Sequence, residues 1–281
     1  MKKTVILIIL IVVALSFSAC MGGNTSTIDQ SWAKSETMTF SITDTNKNNT
    51  VIGDSRFVTK TNLTDEDKKD VGDSLKKYIT GANTKVTVNT TVTGEYDINT
   101  VYYSNVYRLL ASVRRYHNLT DNKKDYVVSS YHEGKYYHYT ISYPNDDSIK
   151  DKSGKLKVGT SGYTEYEFLY FYIRCFDIGA VPSSIKVAEP FSNSVYTLSC
   201  TAGEKSSVAT LVQSLGTVAC NTVYVNNADT PVGRGIIVSY LPDEAPFNSY
   251  GDGSIIKSKK MPTKIVENNL VYTLSSFTAG A

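Results

Sequence analysis

The chain has 281 residues, 41% hydrophobic and 20% charged, a mixture that supports a packed core and excludes wholesale disorder. Only one stretch, at the N-terminus, is apolar enough to enter a bilayer, which excludes a protein crossing the membrane with many helices. Lys2 and Lys3 are the sole charges in residues 1–19, so the formal net charge of +2 belongs to that segment; without it 27 basic residues face 27 acidic ones, and nucleic-acid or phosphate binding has no electrostatic support.

Residues 1–20 read MKKTVILIILIVVALSFSAC. A basic start, the unbroken apolar run Val5–Leu15 and the small residues Ser18 and Ala19 make a secretory signal. The run is well short of the roughly 20 residues needed to span a bilayer. Phe17-Ser18-Ala19-Cys20 resembles the lipobox of prokaryotic lipoproteins, departing at Phe17, where that family usually has Leu. The resemblance implies that Cys20 takes a diacylglyceryl group and becomes the mature N-terminus. Two acyl chains suffice for stable anchoring at ~0.8 kcal/mol per buried methylene. Residues 21–35 are mostly small and polar, a tether that would hold the folded part roughly 20 Å from the membrane. The organisation expected is a signal over 1–19, a tether over 20–35 and a single β-rich extracytoplasmic domain over 36–281.

Within that domain, Thr37–Ile42 and Arg56–Thr59 carry strand signals. Thr64 opens a helix with Asp65, Glu66 and Asp67 in its first turn, an apolar stripe of Val71, Leu75, Tyr78 and Ile79, and Gly81 beyond its end. Residues 84–98 alternate as one half-buried strand, with Val86, Val88 and Val92 on one face and Glu95 and Asp97 on the other. Val106, Leu109, Leu110, Val113 and His117 fall at helical spacing, although the Tyr and Val content of 101–117 leaves a strand open. Tyr126–Tyr143 reads as a hairpin turning at Glu133-Gly134. The polar stretch 144–162 is either a mobile excursion or an internal boundary. Thr164 and Glu167 form a capping box for a helix over Thr164–Phe176, whose body Phe168-Leu169-Tyr170-Phe171-Tyr172-Ile173 is apolar or aromatic on most sides and belongs inside. From Ser194 the text is all β, with strands expected at 194–201, 206–215, 217–226, 233–241 and 262–276, the last interrupted by a turn at Asn268-Asn269.

Chemistry is sparse. With Cys20 lipidated, Cys175, Cys200 and Cys220 remain, an odd number without CxxC spacing. They read as buried small side chains, with a Cys200–Cys220 bridge as the alternative. In the expected hairpin register His132 faces Lys135 and His138 faces Ser129, on opposite sides of the sheet, so the two cannot share a metal ion. No GxSxG occurs, Gly233-Arg234-Gly235 is a turn, and Glu165 and Glu167 suit a helix N-terminus. No cofactor and no nucleic acid is expected.

Three segments together resemble an uncharacterised domain family of bacterial envelope proteins: the helix carrying Leu169-Tyr170-Phe171-Tyr172-Ile173-Arg174, the strand-turn-strand 194–225 with Gly216-Thr217-Val218-Ala219-Cys220, and Met261-Pro262-Thr263-Lys264-Ile265-Val266 turning into Leu270–Leu274. The resemblance covers roughly residues 100–276 and departs at 64–81 and 242–260. It implies strand over part of 101–117 and a half-open β-structure similar in look to lipoprotein carriers. The fold class expected is α+β and β-dominated: a curved antiparallel sheet or half-barrel with one buried aromatic helix and one or two amphipathic helices. The expected role is lipid-anchored, non-enzymatic binding or envelope maintenance, with the membrane and an envelope protein as partners. One alternative is a carrier or sensor holding a lipophilic ligand against Phe168, Leu169, Tyr172 and Ile173; another is an extracytoplasmic hydrolase.

Overall fold

The structure, a computed structural model, describes residues 35–105, 108–160, 162–174, 184–227, 236–241, 247–248, 255–256 and 261–280. Cys20, the signal and nearly all of the tether lie outside these, as do Cys175 and Phe176. The strands are β1 (Ser35–Asp44), β2 (Thr50–Thr61), β3 (Thr84–Val92), β4 (Glu95–Tyr103), β5 (Leu109–Asn118), β6 (Tyr126–Glu133), β7 (Tyr136–Ser142), β8 (Lys152–Lys157), β9 (Tyr163–Glu165), β10 (Ser184–Glu189), β11 (Ser194–Ala202), β12 (Ser206–Ala209), β13 (Thr217–Asn227), β14 (Ile236–Tyr240), β15 (Phe247–Asn248), β16 (Ile255–Ile256), β17 (Pro262–Glu267) and β18 (Leu270–Gly280). Two short helices, α1 (Asp73–Lys76) and α2 (Leu169–Arg174), accompany them.

Sixteen strands form one sheet in the order β8-β7-β6-β5-β4-β3-β2-β1-β18-β17-β14-β13-β11-β10-β9, with β12 paired to β13. Nearly every pair is antiparallel; β9 and β10 are the parallel exception, joined by a crossover containing α2, as parallel neighbours require. The sheet is not closed by hydrogen bonds between β8 and β9, but it curls until its two ends touch. Tyr139 of β7 donates to Asn193 in the β10–β11 turn at 2.8 Å, and Phe191 packs edge-on against Tyr126 of β6 at 4.8 Å.

Alternation sorts the side chains between the two faces of the curled sheet. In β1 every second residue is buried, and Met38 and Phe40 face the concave side with Phe57 of β2 and Val86 and Val88 of β3. One large core fills this concavity around α2, all six of whose residues are buried. A smaller core lies on the convex side. There Val71, Leu75 and Ile79 cover Tyr102, Ala111 and Val113.

Several expectations are corrected. The helix opened by Thr64 is broken: a 3-10 turn over Glu66–Val71 and the four-residue α1 are separated by Gly72, whose φ of 80° and ψ of 150° no helix admits. Its apolar stripe still packs, because the two turns hold the same side down. Residues 84–98 are two strands, not one, because Thr93-Gly94 turns the chain back and pairs Val92 with Glu95. A two-residue turn swaps parity, so Glu95 and Asp97 join the face of Val92 rather than opposing it. The stretch 101–117 is strand on either side of residues 104–108, since Tyr102 and Val113 find sheet neighbours that outweigh helical spacing. The hairpin turns at Gly134-Lys135, with Gly134 at φ 62° in the first central position that favours glycine. This shifts His132 opposite Tyr137 and His138 opposite Tyr131, a two-residue slip that leaves them on opposite faces. The polar stretch 144–162 contains the edge strand β8.

Candidate functional site

The helix expected from Thr164 begins later. Tyr163, Thr164 and Glu165 are extended because they pair with Lys186, Val187 and Ala188, and Tyr166–Phe168 forms a 3-10 turn before α2. There is no capping box. Thr164 is fully buried with its hydroxyl unpartnered, and Glu167 reaches across the concavity to Arg114. The strand-to-helix segment 163–170 thereby lays polar side chains over the inward-facing residues of β4 to β7.

Among these is Glu165, 6% exposed. Ser112, Ser130 at 2.9 Å and Tyr137 at 2.7 Å all donate to its Oε1. Ser112 and Ser130 also lie 2.6 Å apart. With both serine hydrogens given to Glu165, the serine–serine contact holds no hydrogen of its own. Burial pushes the Glu165 carboxyl above the ordinary range, against the pull of the three hydroxyls and Arg114.

Beside it, Arg114 binds Asp97 Oδ2 through Nε at 3.0 Å and Nη2 at 2.7 Å, and Glu167 through Nη1. Burial works against the guanidinium charge, but Glu167 and Asp97 outweigh it. Glu167 is pushed up to about 7 by burial, with Arg114 holding it down. Farther along, Glu267 of β17 accepts from Tyr166 at 2.5 Å and from Tyr170 at 2.7 Å. Both phenols are pushed up, chiefly by burial and then by the Glu267 charge.

Three cavities surround Tyr166 and Glu167. The largest, about 410 Å³, is an apolar cleft floored by Val187, Leu198, Val225 and Ile236, walled by Tyr166, Phe191 and Tyr196, and rimmed by Glu189, Ser192 and Asn268. A second, about 250 Å³, runs over Phe57, Val88 and Val92 and is walled by Tyr116, Tyr166, Tyr170, Tyr272, Arg114 and four carboxylates. The third is a crevice of about 20 Å³ between Glu165, Glu167 and Phe191.

Phe168, Leu169, Tyr172 and Ile173, expected to line a ligand cavity, are core residues at 0%, 0%, 7% and 2% exposure, and none of them lines these three spaces. Tyr166 and Tyr170, on the same segment, do. Arg114, Asp97, Glu165, Glu167 and Glu267 were not singled out as site residues by sequence reasoning. Asp97 was placed on the wrong face, and Glu165 and Glu167 were assigned to a helix terminus. The one signal available was two acids flanking a tyrosine ahead of an aromatic run.

The described histidines and cysteines line none of these three spaces. His132 is buried, accepting from Arg108 at Nδ1 and donating from Nε2 to the Gly159 carbonyl at 2.9 Å. His117 meets Asp125 at 3.2 Å, and His138 stacks on Tyr131. Cys200 and Cys220 are buried free thiols, so the alternative bridge between them is not formed. They sit on β11 and β13, where Cys200 is opposite Val225 and Cys220 opposite Ser206, so pairing register keeps them apart. Among the described residues no His, Cys, Asp or Glu group is arranged to hold a metal ion.

No protein-family model matches the chain, and no curated protein matches its sequence. Among solved structures it is similar to a β-barrel-like protein carrying a domain of unknown function, DUF1849, from Brucella abortus. The identity is 9%, the TM-score 0.47, and the likeness covers 89% of this chain and 99% of that one. At that identity and score the likeness says nothing about function, and the architecture rests on the strand pairing described above.

Proposed function

We propose that this is a lipid-anchored, non-enzymatic binding protein of the extracytoplasmic face, which holds a lipophilic molecule in the cleft between Tyr166 and strands β10, β11, β13 and β14. The observation that carries this is the cleft itself. Its volume of about 410 Å³ falls within the ~300–1,000 Å³ of small-molecule sites, and its floor of Val187, Leu198, Val225 and Ile236 is aliphatic. Its polar residues Glu189, Ser192 and Asn268 are more exposed than these aliphatic side chains, an arrangement that orients an amphiphile without demanding that its body make hydrogen bonds. Among the described residues the lining holds one carboxylate, Glu189, and no cation, which favours a neutral or basic head over a carboxylate or phosphate. A lipid anchor on the lipobox-like Cys20 would hold such a site close to a membrane, where lipophilic molecules concentrate.

The test is photolabelling in membranes carrying the full chain, with a long-chain alcohol bearing a diazirine. Label on residues 187–198 and 225–236, competed by the unlabelled alcohol, supports the reading. Label scattered over the chain, or confined to the N-terminal segment, overturns it.

A further inference from the structure

We propose that the second cavity is a separate binding site for a small organic cation, an alkylammonium or quaternary ammonium group. The space is about 250 Å³ and shares Tyr166 with the apolar cleft. Four carboxylates line it, those of Glu95, Asp97, Glu167 and Glu267, against the single guanidinium of Arg114. Arg114 is already divided between Asp97 and Glu167. Glu267 has two phenol hydroxyls and no cation among its hydrogen-bond partners. Uncompensated negative charge in a partly desolvated space is unfavourable, and a bound cation relieves it.

The aromatic lining selects the kind of cation. Tyr116, Tyr166, Tyr170 and Tyr272 surround the space, and tyrosine rings attract alkylated ammonium groups through their faces. A metal ion needs several oxygen ligands converging on one point, and these carboxylates are not gathered that way. The floor of Phe57, Val88 and Val92 suits the methyl groups of such a ligand. This site does not rest on the reading of the apolar cleft, with which it shares only the wall Tyr166.

The experiment is isothermal titration of the full chain, held in nanodiscs of phosphatidylglycerol, with choline chloride and separately with 3,3-dimethyl-1-butanol, its neutral isostere. Choline is expected to bind and the isostere to bind at least tenfold more weakly. Glu267→Gln removes one charge, and Tyr272→Leu removes one ring from a different strand; each is expected to weaken choline at least fivefold. Val225→Trp, which obstructs the apolar cleft, is expected to leave choline binding unchanged, so failure of one site is distinguishable from failure of the other. Absence of choline binding to the unaltered chain up to 10 mM (roughly the weak limit of useful recognition), equal binding of the isostere, or unchanged binding by folded Glu267→Gln and Tyr272→Leu proteins would overturn the proposal. The choline-to-isostere ratio of the unaltered chain decides the matter even if both variants fail to fold.

Discussion

Glu165→Ala is the perturbation whose cost the geometry specifies most closely. Three hydroxyls converge on Glu165 Oε1, from Ser112, Ser130 and Tyr137. Once the carboxyl is gone, Ser112 and Ser130 still satisfy one hydrogen between them across 2.6 Å. The Tyr137 hydroxyl, on a residue only 1% exposed, and the other serine hydrogen lose their acceptor. An unsatisfied buried donor costs about 1–3 kcal/mol, so the loss should be about 2–6 kcal/mol, a large share of the ~5–15 kcal/mol that holds a typical domain together. Urea unfolding followed by far-UV circular dichroism measures it. A pH series separates charge from shape. The folded-state carboxyl lies above its ordinary value of about 4.5, so between that value and the raised one the folded state holds more protons than the unfolded chain. Stability contributed by this group is therefore full at or below about pH 4.5 and falls as pH rises through the folded-state value. Glu165→Gln, which cannot ionise, should remove that part of the pH dependence while costing far less than Ala. A Glu165→Ala loss below about 1 kcal/mol, or a Gln variant with the same pH slope as the unaltered chain, would refute the reasoning.

Other outcomes follow from burial and position. Ile173 is 2% exposed within α2, so Ile173→Ala should cost about 2–5 kcal/mol in the same unfolding assay, and amides of Leu169–Arg174 should exchange more slowly than those of α1. Cys200 and Cys220 are buried, and burial pushes the Cys200 thiol up to about 11; both should resist a thiol reagent at pH 8 until denaturant is added, and rapid labelling of folded protein would show the strands around them to be open. Cys20→Ala should shift the chain from the membrane to the soluble fraction or stall its processing, and a normally cleaved, membrane-bound alanine variant would remove the lipobox reading.

Much of the β-architecture was legible because strand alternation is a local property. The Tyr126–Tyr143 hairpin, the meander from Ser194 and the turn at Asn268-Asn269 all rest on period-two patterns bounded by turn residues. The burial of Phe168–Ile173 was equally local, since no face of that run is polar. The polar site was not legible. A missed two-residue turn at Thr93-Gly94 inverted the faces of Glu95 and Asp97, hiding the partner of Arg114. The capping pattern Thr164-x-x-Glu167 was overridden by a parallel pairing with β10, about twenty residues away, that no local signal encodes. Val106, Leu109, Leu110 and Val113 matched a helix by spacing, but β4 and β6 offered residues 109–118 two neighbours. Glu267 meets Tyr166 and Tyr170 across roughly a hundred residues of sequence. Such contacts come from how the sheet curls, and single-sequence periodicity does not report curvature.

Occupancy of the apolar cleft by a lipophilic ligand is read out by native mass spectrometry of the full chain purified in a mild non-ionic detergent. The expected result is a discrete non-protein mass, unrelated to multiples of the detergent, that is carried by the unaltered chain and lost from a folded Val225→Trp variant, whose ring projects into the floor of the cleft. Spectra in which both proteins show only the mass of the polypeptide, or in which both retain the same added mass, would contradict it.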